Sequence, residues 1–239
     1  MTDAKVLQLK VSLNGVKPEM WRTVLVKDSI SFRKLHDIIQ KTMGWESYHM
    51  FEFCIGDVTL TCEEEGFNRA EGAFKKLFSS PEFAKMLEQR ASGKGSARLD
   101  LAKMNEILMG TEKAKPADRI GMNSKLHELI KSEGQMFAYR YDFGDCWEHS
   151  IIVEKILEKD ASKSYPVCIG GEMACPPEDC GGVYGYAEML TALKDKRHPE
   201  HKRWREWIGE FDPEKFDMDR TNLILHPPDG RARFWVKKE

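Results

Sequence analysis

Apolar and polar residues partly alternate over Val6–Leu13, and a W-x-T-V-L-V run does the same over Trp21–Val26. A period of two puts successive side chains on opposite faces of an extended chain, so both segments read as strands. Asn14-Gly15 between them is a strong turn pair, followed by Lys17-Pro18. The period then lengthens. Leu35, Ile38, Ile39 and Thr42 mark one face of a helix over Phe32–Met43, with Ser31 placed to cap it and Gly44 to stop it. Strands are expected at Tyr48–Ile55 and Val58–Cys62, about a Gly56-Asp57 turn.

From Glu63 to about Arg119 the chain becomes charged and glycine-punctuated, with helical spacing in Phe74, Leu77 and Phe78 and again in Leu101, Met104 and Leu108. The run Ser92–Ser96 breaks those two stretches, so 63–119 reads as a helical insertion within one domain spanning residues 1–239. Beyond it come a short helix at Lys125–Lys131, a strand at Met136–Tyr141, a turn at Asp142–Asp145 and a strand at Cys146–Leu157. Ile151 and Val153 alternate with Ile152 and Ile156, which predicts a central hairpin buried on both sides. Helices follow at Val183–Leu193 and Pro199–Ile208. Hairpin-joined strands kept apart from helices give an α+β class: a mainly antiparallel sheet, flanking helices and a helical insertion.

Composition narrows the setting. The 239 residues are 41% hydrophobic and 32% charged, with a formal net charge of -2. That balance gives no global electrostatic case for a nucleic-acid or membrane partner, and no run approaches the length of a membrane span. The N-terminal segment lacks a signal-peptide core, and six cysteines in a chain this long are no disulfide framework. The expected location is the cytoplasm.

The stretch Cys168–Gly185, CIGGEMACPPEDCGGVYG, mixes cysteines, acidic residues, Pro-Pro and two Gly-Gly pairs. It reads as one ordered loop, of the kind that is functional when it lies inside a compact domain. Cys168, Cys175 and Cys180 with His149 are a candidate Cys3His set, for which zinc is the cofactor. Glu178 and Asp179 offer oxygen donors or helix caps. On the strand after the turn, Asp145, Trp147 and His149 project to one side, a candidate proton-transfer or metal row, while Asp142 reads as a turn residue. Lys196, Arg197, Lys202 and Arg203 lie in a basic stretch able to touch phosphates. Asp142-Phe143-Gly144 stands without a kinase's other segments, and no P-loop or G-x-S-x-G elbow occurs.

The blocks LQLKVSLNGVKPEMWRTVLV, LHDIIQKTMGW, YRYDFGDCWEHSIIVEK, CIGGEMACPPEDCGGVYGY and FDPEKFD resemble the plasmid pRi ORF-three-like family. Its members occur on plasmids, in transposon-like elements and in chromosomes, and some are labelled TnpR-like resolvases or transposon passengers. The resolvase label finds no catalytic parts here: Ser12 lies in a strand-like run without an arginine cluster, and the C-terminal residues show no recognition-helix pattern. The leading expectation is a cytoplasmic binding or interaction module whose site joins the DFGD turn to the cysteine loop. Its partner would be a protein or nucleic acid. The alternatives are a metal-dependent, hydrolase-like enzyme using His149 and the Cys168–Cys180 loop, and a nucleic-acid-binding accessory protein.

Overall fold

The computed structural model of the protein describes residues 5–61 and 121–228; the expected insertion at 63–119 lies outside the described residues. Seven strands form one sheet: β1 (Lys5–Leu13), β2 (Met20–Lys27), β3 (Phe51–Ile55), β4 (Val58–Thr61), β5 (Met136–Tyr141), β6 (Trp147–Glu158) and β7 (Val167–Glu172). Their spatial order is β4-β3-β5-β6-β1-β2-β7, an antiparallel sheet with the β5–β6 hairpin near its centre. Among the described residues five helices accompany it: α1 (Phe32–Met43), α2 (Leu126–Leu129), α3 (Gly182–Lys194), α4 (His201–Ile208) and α5 (Met218–Leu225). None is long and apolar enough to cross a membrane.

The register explains the core. Phe51 lies opposite Tyr141 and Tyr141 opposite Trp147; Tyr139 lies opposite His149, and His149 opposite Leu13. Directly paired residues share a face, so these aromatics, with Phe53, Phe137, Ile151, Val153, Val11, Leu9 and Val24, form one continuous buried surface. Helix α1 contributes buried Phe32, Leu35, Ile38, Ile39 and Met43, and Phe32 meets Phe53 edge-on at 5.4 Å. The expected cap is present, with Lys34 N–H donating to Ser31 Oγ at 3.2 Å. Gly44 stops the helix at φ 86°, a conformation that costs glycine little.

Two corrections concern this sheet. Ile152 and Ile156 are only half-buried, because the second face carries Gln8, Lys10, Glu148 and Glu154 and meets water, as antiparallel sheets allow. The stretch from Cys168 is not wholly loop: its first residues are β7, paired antiparallel to β2. The glycines there mark close packing. A Cβ on Gly171 would lie 2.5 Å from Phe216, and one on Gly170 would lie 3.3 Å from Trp21. Helix α5, which the hydrophobic pattern did not announce, is capped by Asp217, whose Oδ1 accepts from Arg220 N–H at 2.9 Å. It covers the free edge of β7: Asn222 both donates to Cys168 O (2.9 Å) and accepts from Cys168 N–H (2.8 Å), doing what a neighbouring strand would do.

Candidate functional site

Three segments distant in sequence meet at one end of the sheet: 44–50 after α1, the turn 141–146 between β5 and β6, and 173–182 between β7 and α3. Backbone-level bonds join them. Trp45 Nε1 donates to Pro176 O at 2.9 Å, Glu46 N–H to Glu178 Oε2 at 2.7 Å, Asp142 N–H to Met50 O at 2.9 Å, and Gly181 N–H to Asp145 Oδ2 at 3.1 Å. Trp45 is the floor, buried and in contact with Tyr141, Trp147 and His149 at 5.1, 5.8 and 5.4 Å between ring centres. Ser47, Asp142, Cys146 and Asp179 all hold φ between 53° and 64°. Such left-handed residues are uncommon outside glycine and cluster at functional sites.

At the surface of this junction His49 Nε2 lies 3.0 Å from Asp179 Oδ1 and 3.5 Å from Asp142 Oδ2. Tyr48 Oη donates to Asp179 Oδ2 at 2.5 Å, and Asp142 Oδ1 accepts from Gly144 N–H at 2.9 Å. Glu178 is occupied from both sides, by the Tyr141 hydroxyl and by Glu46 N–H. Burial pushes the Glu178 carboxyl above its ordinary range, and raises the Tyr141 and Tyr48 hydroxyls further. Among the described residues, His49, Asp142 and Asp179 are the group of histidine, cysteine and carboxylate donors gathered closely enough to hold a metal ion, their three ligand atoms within 4.8 Å of one another.

The residues singled out in the sequence fall in different places. Asp142, Asp145, Glu178 and Asp179 come together here. Asp142 is also the turn residue expected of it; neither Glu178 nor Asp179 caps α3, which starts at Gly181 without a side-chain cap, and Asp145 accepts from the Gly181 N–H. Trp147 and His149 do share a face, but it is the buried one, and Asp145 stands in the turn before the strand, so the expected acid–base row does not form. His149 is fully buried, with Nδ1 3.3 Å from Tyr139 O and its Nε2 unpartnered. Burial lowers its pKa to about 4, which leaves it a neutral core histidine.

Cys168, Cys175 and Cys180 are free thiols. With His149 they do not gather into a four-donor set, since Cys168 lies within β7 and His149 beneath Trp45. Burial raises all three thiols, Cys180 to about 12. In the basic stretch, Arg197, Lys202 and Arg203 pair with Asp195, Glu206 and Glu200 at 3.5, 3.7 and 2.8 Å. These exposed local pairs offset much of the positive charge expected to meet phosphates.

Sequence reasoning passes over His49, Tyr48 and Glu46 because 48–50 read as the start of a strand. The signal is the polar run Glu46-Ser47-Tyr48-His49 directly after a glycine helix stop, where no alternation holds. His36 escapes it too. It is buried, its pKa lowered to about 3 by that burial, and it stacks on Phe51 at 3.4 Å. Gln40 Nε2 donates to Tyr139 Oη (2.9 Å), which lies 2.7 Å from His36 Nδ1, and His36 Nε2 is 2.6 Å from Ser47 Oγ. His36 thus links Tyr139 to Ser47 through its two ring nitrogens.

Comparisons with known proteins agree with the fold and the blocks. The family model of the plasmid pRiA4b ORF-3-like proteins matches residues 5–220. An uncharacterized protein, y4hQ, of Sinorhizobium fredii (strain NBRC 101917 / NGR234) is 29% identical over 237 residues, covering 98% of this chain and 96% of its own. The crystal structure of a protein of unknown function, MM3350 from Methanosarcina mazei Go1, is similar with a TM-score of 0.59 and 31% identity, over 91% of this chain and 98% of that one.

Proposed function

The chain belongs to the plasmid pRiA4b ORF-3-like family, and we propose that it is a binding module whose three-segment junction takes a cationic ligand. The observation that carries this reading is a charge imbalance. Glu46, Asp142, Asp145, Glu178 and Asp179 lie on the three abutting segments, and among the described residues the only basic side chain paired with any of them is the His49 imidazole. Like charges gathered at a partly buried site disfavour one another unless a cation joins them. A cytoplasmic setting accords with the free thiols among the described residues, and carriage on mobile DNA accords with the family resemblance.

The test is thermal unfolding of the full chain at fixed ionic strength with Zn2+, Mn2+, Ca2+, spermidine or an oligolysine peptide added in turn. At least one of these should raise Tm above the NaCl control, and the Asp142→Asn/Asp179→Asn double variant should lose that gain. If none raises Tm, the reading fails.

A further inference from the structure

Resting on that reading, we propose that His49 Nε2, Asp142 Oδ2 and Asp179 Oδ1 form a mononuclear site for a first-row transition divalent cation of the zinc or manganese kind. The two separations from the imidazole fit. Donors bonded at about 2.1 Å to a common ion stand about 3.0 Å apart along an octahedral edge and about 3.4 Å along a tetrahedral one. The observed separations from Nε2 are 3.0 and 3.5 Å.

Asp142 is turned to the same point: its side chain is 11% exposed, its Oδ1 accepts from Gly144 N–H at 2.9 Å, and its Oδ2 lies 3.5 Å from the imidazole, longer than a good hydrogen bond, which leaves that oxygen available to a cation. The donors come from three separate segments, each already fixed: Asp179 by Tyr48, Asp142 by Gly144 N–H, and His49 by ring contacts with Tyr48 and Tyr141 at 4.3 and 5.7 Å. Such outer partners orient ligands.

The donor set chooses the ion. Magnesium and calcium take oxygen ligands, calcium six to eight of them, whereas one imidazole nitrogen with two carboxylates suits zinc, manganese and their neighbours. The Asp179 side chain is 57% exposed, so the remaining coordination positions face water, the arrangement of sites that keep an exchangeable ligand.

Calorimetry of the full chain with Zn2+, Mn2+, Mg2+ and spermidine tests this. One equivalent of Zn2+ or Mn2+ should bind at least about 100-fold more tightly than Mg2+, and His49→Gln and Asp179→Asn should each weaken it by about 100-fold or more, beyond the 10–100-fold expected of an outer-sphere partner. Asp179 is exposed, so its variant should keep the parent's circular dichroism and melting. The Co2+-loaded protein should lack a thiolate charge-transfer band. Such a band, or zinc binding unchanged in both variants, would overturn the site in favour of the cysteines. Spermidine binding without metal binding would overturn the metal site and leave the cationic-ligand reading standing; binding of neither would likewise overturn the metal site, and the cationic-ligand reading would then fall only if Ca2+ and oligolysine also left Tm unchanged.

Discussion

Alanine at Gly182 tests whether the 173–182 segment is seated on the backbone of the β5–β6 turn. Gly182 opens α3 at φ 66°, and a Cβ built there would lie 2.3 Å from the Asp145 carbonyl oxygen, where real Cβ contacts do not come closer than 3.0 Å. The two segments must therefore move apart by the difference, and Gly181 N–H would be drawn away from Asp145 Oδ2. Gly56 is the control, because it also has positive φ (55°) and a Cβ placed on it would have nothing within 4 Å, so alanine there meets open space. The left-handed conformation alone costs a non-glycine residue about 1–2 kcal/mol, and overpacking adds about 1–3 kcal/mol. Gly56→Ala should lower Tm by a few degrees and Gly182→Ala by on the order of 10 °C, at roughly 2–4 °C per kcal/mol for a chain of this size. Differential scanning calorimetry or urea titration of both variants reads the difference. Equal losses would mean that the segment is not held against Asp145, and the junction would lose its physical basis.

Two further outcomes follow from buried groups. His36 and His149 have pKa values lowered from 6.5 to about 3 and about 4, so below pH 6.5 the unfolded chain binds protons that the folded one refuses; their contribution is full above that pH and is lost as pH falls toward 4. From pH 7 to pH 5 the pair should remove about 4 kcal/mol of unfolding free energy, and His149→Phe should flatten the urea-derived pH profile; an unchanged slope in that variant would refute the assignment. Asn222→Leu strips the β7 edge of its amide partner, so stability should fall by about 1–3 kcal/mol and light scattering should detect concentration-dependent association beyond that of the parent; a variant as stable as the parent and no more associated would show that α5 does not seal that edge.

What the sequence disclosed follows from how local each signal is. Helix α1 was legible to its ends because Ser31, the 3.6-residue spacing and Gly44 agree, and β5 was legible because its alternation is uninterrupted. Strand β7 was not, since Gly170 and Gly171 weaken local propensity and only Trp21, Arg22 and Phe216 packed against them explain their presence. The meeting of the DFGD turn with the cysteine segment could be expected from composition, because a run with Pro-Pro and two Gly-Gly pairs needs an outside surface to order it. Which residues it would present could not. Cysteine suggested a metal by residue type, yet Cys168, Cys175, Cys180 and His149 do not gather into one donor group, while His49 entered through a register that no single segment encodes.

The same burial bears on how the site would bind. Arg22, 2% exposed, donates to the carbonyls of Trp21, Thr42, Glu172 and Met173 at 2.7–3.1 Å and stacks over Phe216 at 3.9 Å. One guanidinium thus ties β2, the end of α1 and the start of the 173–182 segment together, with no carboxylate taking part. Trp45 binds that segment again at Pro176, and Asp145 a third time at Gly181. Ordering a loop on binding ordinarily subtracts from affinity. Here the three carriers of His49, Asp142 and Asp179 are fixed by bonds that involve none of those side chains. The junction's shape is consequently independent of its ligand, and occupancy should alter local charge and leave the backbone where it is.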